Sequence, residues 1–396
     1  MPKLNLNEMK NKKIALVLSG GVVKAASWHL GVAIALEELG FSFKNNTTDI
    51  LQEKKSLEIS TYVGSSAGAM ICLYLALGLT PQEITDSAFG GKNSRLKRLT
   101  YKDMLYLKKS VMRPPKNSLY NPMEGFPTLI RKLLMPLNNF TGIFSTEGIK
   151  NYLVKHVIDN KLTRFEDLRS DLFVVATQLD HSRKVIFSKY NYPNPSHDPT
   201  SVYYTGTALA DAVTASMSVP PIYSPYPIKN VLTGEIDYYI DGEIRETLST
   251  HVAEDNNCDV AISSWTHTPY HYQDEVGSLI HYGLPTIAVQ SILLMIQKKI
   301  ISARAHRSTA MDIVQTVSDY MKHENFSNEH RRKILSILES KLHFKTNMQL
   351  IDIYPEHSDF KFFFHSTFSL NPKTAAYAVK AGYKRTMEVM NKLGDK

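Results

Sequence analysis

The amino-acid sequence predicts an α/β fold: a mainly parallel sheet sandwiched by helices, followed by a mostly helical C-terminal extension. Short apolar runs are followed at once by Ala-rich segments of helical pattern at 14–39 and again at 59–79, and successive strand-to-helix units are typical of a parallel sheet. After Trp265 most apolar residues recur with a helical spacing of about 3.6. We therefore divide the chain into an N-terminal tail (1–12), a main α/β domain (13–265) and an extension packed on that domain (266–396).

The individual elements follow from apolar runs and from the residues that end them. Gly40 is placed to cap the first helix, and Thr80-Pro81 and Pro220-Pro221 stop two later ones. The predicted strands of the main domain cover 14–18, 59–63, 172–177, 185–187, 238–240 and 260–263, and its helices cover 25–39, 67–79 and 207–217. In the extension we predict helices at 287–301, 311–321, 331–342 and 375–393 and one short strand at 350–353.

The composition is that of a globular protein, with 43% apolar and 21% charged residues. Cys72 and Cys258 are the only cysteines, and no Cys/His cluster has zinc spacing, so we expect no disulfide framework, no metal and no cofactor. The basic start at Lys10 resembles a signal peptide, but the apolar run after it is broken at Ser19-Gly20-Gly21, and we interpret it as the first strand. With no apolar stretch near the roughly 20 residues of a membrane span, we expect a cytoplasmic protein, at most peripheral to a membrane, without a transmembrane helix or a cleavable signal peptide.

The net charge of +8 has its source in one segment. Between Lys92 and Lys116 stand nine basic residues and one acidic residue, Asp103, interleaved with leucines and tyrosines. That mixture suits either an anionic membrane surface or a solvated basic loop. Both interpretations stay open, with an anionic membrane surface as the partner of this segment in the first, and we expect no nucleic-acid partner.

A Gly-x-Ser-x-Gly motif stands between a predicted strand and a predicted helix. Gly64 and Gly68 flank Ser66, and in that context the turn is typical of a nucleophile elbow, which exposes the serine hydroxyl. The alternative is a glycine-rich turn with Ser66 as an ordinary helix N-cap.

Acyl transfer by a serine also needs oxyanion donors and a base. Gly20, Gly21 and Val22 follow a buried strand and precede a helix, so their backbone amides can face a ligand, with Lys24 beside them. Their spacing does not match a nucleotide-binding loop. Asp241-Gly242 directly follows the strand at 238–240, at the edge where α/β sheets present functional groups, although Asp-Gly taken alone is more often a plain turn.

These three elements in this order resemble the patatin-like phospholipase family over about residues 13–265. The run from Gly20 to Val32, GGVVKAASWHLGV, is similar to the branch of that family whose loop reads Gly-Gly-x-x-Arg/Lys-Ala-Ala, with Lys24 at its basic position. The resemblance implies a serine lipid acyl hydrolase with Ser66 as nucleophile, Asp241 as base, no catalytic histidine and an acyl-enzyme intermediate. It also implies an acyl-lipid substrate, and the basic segment favours a phospholipid.

Two residues depart from the family pattern. Val22 stands where many members have a third glycine, and a β-branched residue is strained if that position needs a positive φ. Glu243 stands where Gly or Ala is usual. An inward Glu243 would raise the pKa of Asp241 by like-charge repulsion, so we expect it to face solvent or to pair with Arg245.

Two other functions remain open. A Ser-His-Asp esterase would take its histidine from those after Asp241, namely His251, His267 or His271. A catalytically silent lipid-binding effector, or one that a protein partner activates, would keep the same fold.

Overall fold

The protein is described by a computed structural model over residues 6–46, 57–91, 95–107, 125, 127–134, 141–192, 201–231, 233–342 and 348–394. The strands are β1 Ile14–Leu18, β2 Ser42–Phe43, β3 Glu58–Ser65, β4 Tyr106–Leu107, β5 Phe144–Ser145, β6 Asp171–Gln178, β7 Arg183–Phe187, β8 Ser201–Tyr204, β9 Tyr226–Lys229, β10 Ile236–Asp241, β11 Val260–Ser264 and β12 Gln349–Ile353.

The helices are α1 Leu6–Met9, α2 Val22–Glu38, α3 Ala67–Ala76, α4 Pro81–Phe89, α5 Tyr101–Met104, α6 Thr128–Leu134, α7 Glu147–His156, α8 Leu209–Ser216, α9 His251–Asp255, α10 Gly283–His323, α11 Asn328–Leu342, α12 Phe360–Phe364 and α13 Pro372–Gly394. Short 3₁₀ turns occupy Phe165–Asp167, Gly242–Ile244 and Leu279–Tyr282. All predicted strands of the main domain are present, so the α/β fold with a mainly parallel sheet is confirmed.

The main sheet has the order β12-β11-β1-β3-β6-β10-β9, and β2, β7 and β8 attach beside this path. The strands from β12 to β6 are parallel, whereas β7, β9 and β10 pair in antiparallel fashion. In this register Leu18 lies beside Gly64, Ser65 beside Val175, and Asp241 beside Ala176. The sheet therefore brings the ends of β1, β3 and β10 together at one edge.

Alternate side chains of the central strands fill two separate cores. On β1, Leu16 and Leu18 join one apolar cluster and Ala15 and Val17 join the other, because successive side chains of a strand point to opposite faces. Helices cover both faces, which is the sandwich that the sequence predicts.

The last helix of the extension packs tightly on the main domain. At the α2–α13 contact a Cβ on Gly31 would lie 1.9 Å from the Val379 carbonyl oxygen, and one on Gly382 would lie 2.2 Å from the Trp28 carbonyl oxygen. Only glycine allows so close a backbone approach. The domain boundary at residue 265 stays a prediction.

Helix α10 differs from the sequence prediction in two ways. It is one helix of 41 residues where we predicted separate helices at 287–301 and 311–321. It is also long and apolar enough to cross a membrane: an 18-residue window of it has a mean hydropathy of 1.6 and is 0% buried. Our expectation that no apolar stretch approaches the length of a membrane span is therefore corrected. The run was overlooked because Thr286 and Gln290 interrupt it, although no charged residue stands between 276 and 297. Length and composition alone do not establish that α10 spans a membrane.

Candidate active site

Ser66 lies in a sharp turn between β3 and α3. Its φ is 53°, in the left-handed region that is rare for residues other than glycine. The Ser66 N–H donates to the Ser216 hydroxyl at 2.8 Å, and that hydroxyl donates to the Val175 carbonyl at 2.6 Å. The Ser66 side chain makes no capping hydrogen bond to α3, so its hydroxyl is not a helix cap.

The two glycines of the motif let the turn sit against neighbouring backbone. A Cβ on Gly68 would lie 2.3 Å from the Leu18 carbonyl oxygen at the end of β1, and one on Gly64 would lie 2.5 Å from Ala69 Cα. Contacts this short with backbone atoms cannot be relieved by a rotamer change. The sequence motif is thus a packing requirement of the β3–α3 turn.

The Asp241 carboxyl lies against Ser66 at the end of β10. Its side chain is 3% exposed, and its Oδ1 accepts the Glu243 N–H at 2.9 Å. Burial raises the pKa of Asp241 to about 6, while hydrogen bonds from the Ser66 hydroxyl and the Glu243 amide act in the opposite direction. Gly242 allows the close approach we expected, since a Cβ there would lie 2.4 Å from the Val175 carbonyl oxygen.

The turn after β1 presents backbone amides at the start of α2. Gly21 is the N-cap with φ 125°, and Val22 begins the helix with φ 57°. The first amides of a helix have no intrahelical acceptor, so those of Gly21 and Val22 can serve an anion. Val22 therefore does hold the strained conformation that the sequence raised as a concern. Gly20 differs because its N–H donates to Glu243 Oε1 at 2.9 Å.

Lys24 is held by the chain segment around α12. Its Nζ lies 3.4 Å from the Phe362 carbonyl oxygen and 5.1 Å from the centroid of the Phe362 ring, and its backbone N–H donates to the Thr367 carbonyl. Burial lowers the pKa of Lys24 to about 8. The lysine therefore joins the loop to α12.

The expectation for Glu243 is wrong. Its side chain points inward to the Gly20 amide instead of facing solvent, and the Arg245 guanidinium donates to the Ser182 carbonyl. The 3₁₀ turn Gly242–Ile244 directs the residue back under the β1–α2 loop, and no local pattern in the sequence reveals this contact.

Within the described part of the chain, the three candidate histidines after Asp241 do not form a Ser-His-Asp arrangement. The Asp241 carboxyl contacts the Ser66 hydroxyl directly, where a triad would interpose an imidazole. His251 lies 3.3 Å from a Glu246 oxygen, His271 packs on His357, and His267 lies 3.9 Å from Glu243 Oε2.

His29 supports the β1–α2 loop from below. It is fully buried, with Nε2 2.9 Å from the Ser19 carbonyl oxygen and Nδ1 3.0 Å from the Ser264 hydroxyl. Since the carbonyl can only accept, Nε2 carries the proton. No local pattern in the sequence indicates this support.

A cavity of about 120 Å³ opens beside the elbow between α2, α3 and α4. Its walls are almost entirely apolar, and Val22, Ala67 and Met217 line its end next to Ser66.

In the described ranges, no group of three or more His, Cys, Asp or Glu side chains is arranged to hold a metal ion.

A comparison with protein families agrees with the fold. The family model for patatin-like phospholipases matches residues 16–254. The chain is similar to the crystal structure of VipD from Legionella pneumophila, with 17% identity, a TM-score of 0.40, and coverage of 96% of this chain and 67% of VipD. At that score the likeness is too distant to bear on function. No curated protein matches the chain.

Proposed function

The chain belongs to the patatin-like phospholipase family, and we propose that it is a lipid acyl hydrolase in which Ser66 is the nucleophile and Asp241 the base. The observation that carries this proposal is the contact between the buried Asp241 carboxyl and the Ser66 hydroxyl at the carboxyl edge of the sheet.

The proposed chemistry begins with proton transfer. Asp241 accepts the proton of Ser66 as the serine oxygen attacks the ester carbonyl. A base with a pKa of about 6 is mostly ionised at neutral pH and is a stronger base than an ordinary aspartate. The Glu243 amide, by donating to Oδ1, fixes the carboxyl toward Ser66.

The negative charge that develops on the carbonyl oxygen needs donors. In our proposal the amides of Gly21 and Val22 supply them, and the start of α2 adds its dipole. Gly20, although part of the loop, is already bound to Glu243. As the ester C–O bond breaks, the alcohol leaves with the proton that Asp241 took from Ser66, and Ser66 carries the acyl group. Water then attacks the acyl-enzyme with the ionised Asp241 as base, and Ser66 regains a proton as the fatty acid leaves.

The apolar cavity supports an acyl chain as the ligand. It begins beside Ser66 and passes between Met70, Tyr74 and Leu30, where a hydrocarbon chain would exchange water for apolar walls.

We propose that the basic segment from Lys92 to Lys116 docks the protein peripherally on an anionic membrane surface. Residues 92–94 and 108–116 lie outside the described residues. Within 95–107, Lys97 and Lys102 are exposed beside Leu107, which is 70% exposed, a mixture that suits a lipid interface. Arg98 has another role, since it donates to the Leu370 carbonyl.

Vesicle binding tests this dock. Changing Lys97 and Lys102 to Gln should weaken binding to anionic vesicles, because each basic residue near such a surface contributes about 1 kcal/mol. The matched control changes Lys380 and Lys392, two exposed lysines on α13, to Gln. Equal binding by both double variants would exclude the 95–107 surface.

The hydrolase itself is tested by release of fatty acid from mixed phospholipid vesicles. Ser66→Ala should lose at least about a thousandfold in turnover while remaining folded, since the hydroxyl does not cap α3. Ser42→Ala, on β2, is the control and should remain active. Full turnover by Ser66→Ala would refute the mechanism.

The partner-activated effector is a second outcome of the same assay. An inactive wild-type protein that releases fatty acid after addition of cell extract would assign a protein activator. One that stays inactive with extract would assign a silent lipid-binding protein.

A further inference from the structure

A second carboxyl group lies beside the proposed base, at a position where the family resemblance leads one to expect Gly or Ala. Glu243 Oε1 accepts the Gly20 N–H at 2.9 Å. This hydrogen bond joins the turn after β10 to the turn after β1, which are 223 residues apart in the chain.

Glu243 also shares the space around Gly20 with the nucleophile. A Cβ on Gly20 would lie 2.7 Å from Glu243 Cγ and 2.8 Å from Ser66 Cβ. The loop backbone at Gly20 therefore packs between the side chains of Glu243 and Ser66. Because of this packing, we expect a displacement of Glu243 to shift the amides that follow Gly20.

The surroundings favour the uncharged form of Glu243. Burial raises the pKa of its carboxyl to about 8, with a further rise from the charge of Asp241, whereas the Gly20 amide and the hydroxyls of Ser65 and Thr247 lower it. The adjacent His267 supplies no balancing positive charge at neutral pH, because burial lowers its pKa to about 4, with help from the charge of Lys24.

The titratable groups that face this position come from three elements. Asp241 stands on β10, His267 follows β11, and Lys24, whose charge acts on His267, stands on α2. His29, also on α2, is neutral, since burial lowers its pKa to about 3.

We propose that Glu243 is a positioning residue whose uncharged carboxyl holds the Gly20–Val22 loop in the geometry that binds the oxyanion. The inference rests on the proposed function. The carbonyl oxygen of the acid accepts the Gly20 N–H, which leaves the amides of Gly21 and Val22 facing the ester. Ionisation of Glu243 adds a second negative charge beside Asp241 and opposes the charge that develops on the substrate.

The consequence is a second pH limit on turnover. Activity rises as Asp241 loses its proton through about pH 6 and falls as Glu243 loses its proton through about pH 8. The two groups interact, so the measured limits belong to the pair.

Two substitutions test the role on a soluble short-chain nitrophenyl ester. Glu243→Gln keeps an oxygen that can accept the Gly20 N–H and is uncharged at every pH, so it should retain kcat within about twofold at pH 7 and lose the alkaline limit. Glu243→Ala removes the acceptor and should lower kcat roughly 10- to 100-fold with KM nearly unchanged, because a small misplacement of catalytic groups costs that much. Unfolding midpoints and Ser66 labelling by a fluorophosphonate are measured on all three proteins.

The proposal is overturned if Glu243→Gln keeps the alkaline limit, which would assign that limit to Lys24 or another group. It is equally overturned if Glu243→Ala, folded, has the kcat of Glu243→Gln. If Glu243→Ala fails to fold, the pH profile of Glu243→Gln decides alone. Absence of hydrolysis and labelling in the wild type would refute the proposed function instead, whereas an active wild type with unchanged Glu243 variants would refute only the role of Glu243.

Discussion

The two strand-to-helix turns at the site adopt similar local conformations but are held in different ways. After β1 the helix starts at Val22 with φ 57°, and after β3 it starts behind Ser66 with φ 53°. The Ser66 turn is fixed by backbone packing of Gly64 and Gly68 within the core. The Gly20–Val22 turn is instead held by side-chain contacts, from Glu243 to the Gly20 amide and from Lys24 to α12.

This difference separates two requirements of the proposed chemistry. The position of the nucleophile follows from the crossing of β1, β3 and α3 and comes with the fold. The position of the oxyanion donors depends on side chains that are distant in the sequence, so it can change while the fold remains intact. Substitutions in the two turns should therefore have different consequences.

The largest effect on turnover is expected from substitution of Asp241, the proposed base that contacts Ser66. Asp241→Asn keeps the shape of the side chain but removes the base, and kcat should fall roughly a hundred- to ten-thousand-fold. A variant with more than a tenth of wild-type kcat would show that another group takes the proton.

The same variant should be more stable than the wild type at pH 8. Because the folded pKa of Asp241 is raised, protonation favours the folded state, and the wild type loses stability as pH rises through about 6. Two pKa units correspond to a gain of up to about 3 kcal/mol for Asp241→Asn at pH 8, which disappears near pH 4. Urea unfolding at both pH values measures it, and equal differences at pH 4 and pH 8 would contradict the raised pKa.

Alanine in place of one glycine from each turn compares the two kinds of support directly. Gly68→Ala drives a Cβ into the Leu18 carbonyl and should cost about 2–3 kcal/mol of unfolding free energy. Gly20→Ala makes longer contacts, 2.7 Å to Glu243 Cγ and 2.8 Å to Ser66 Cβ, so it should cost less stability. Because Ser66 Cβ moves only with its backbone, the substitution should displace the nucleophile and cost most of the activity. Thermal unfolding and ester turnover of both variants check this, and a greater loss of stability in Gly20→Ala would reverse the comparison.

The smallest effect is expected from Val22→Gly. Glycine relieves the strain of a β-branched residue at positive φ but adds backbone entropy to the unfolded chain and removes an apolar wall of the cavity. The net change in unfolding free energy should be a gain of about 1 kcal/mol or less. A loss of more than that would show that Val22 is not strained.

The sequence predicted the Ser66 turn in more detail than the Gly20–Val22 turn, for a physical reason. A nucleophile elbow is local: strand, glycines, serine and helix are consecutive, and the close contacts of Gly64 and Gly68 leave a readable pattern. The central strands were likewise found from their apolar runs.

Long-range contacts left no such pattern. Three contacts join segments that are distant in the sequence: Glu243 with Gly20, His29 with Ser264, and Ser66 with Ser216. The apolar run of α10 was missed because Thr286 and Gln290 interrupt it. The partly buried Gln290 side chain bonds to the backbone of Tyr270, a contact that the apolar pattern does not indicate.

Labelling with a fluorophosphonate tests most directly whether Ser66 is an activated nucleophile. Intact-mass measurement should show one adduct on the wild type, none on Ser66→Ala and a much slower adduct on Asp241→Asn, because the serine is a weak nucleophile without its base. A folded wild-type protein without an adduct, or an adduct that forms equally on Ser66→Ala, would contradict the account.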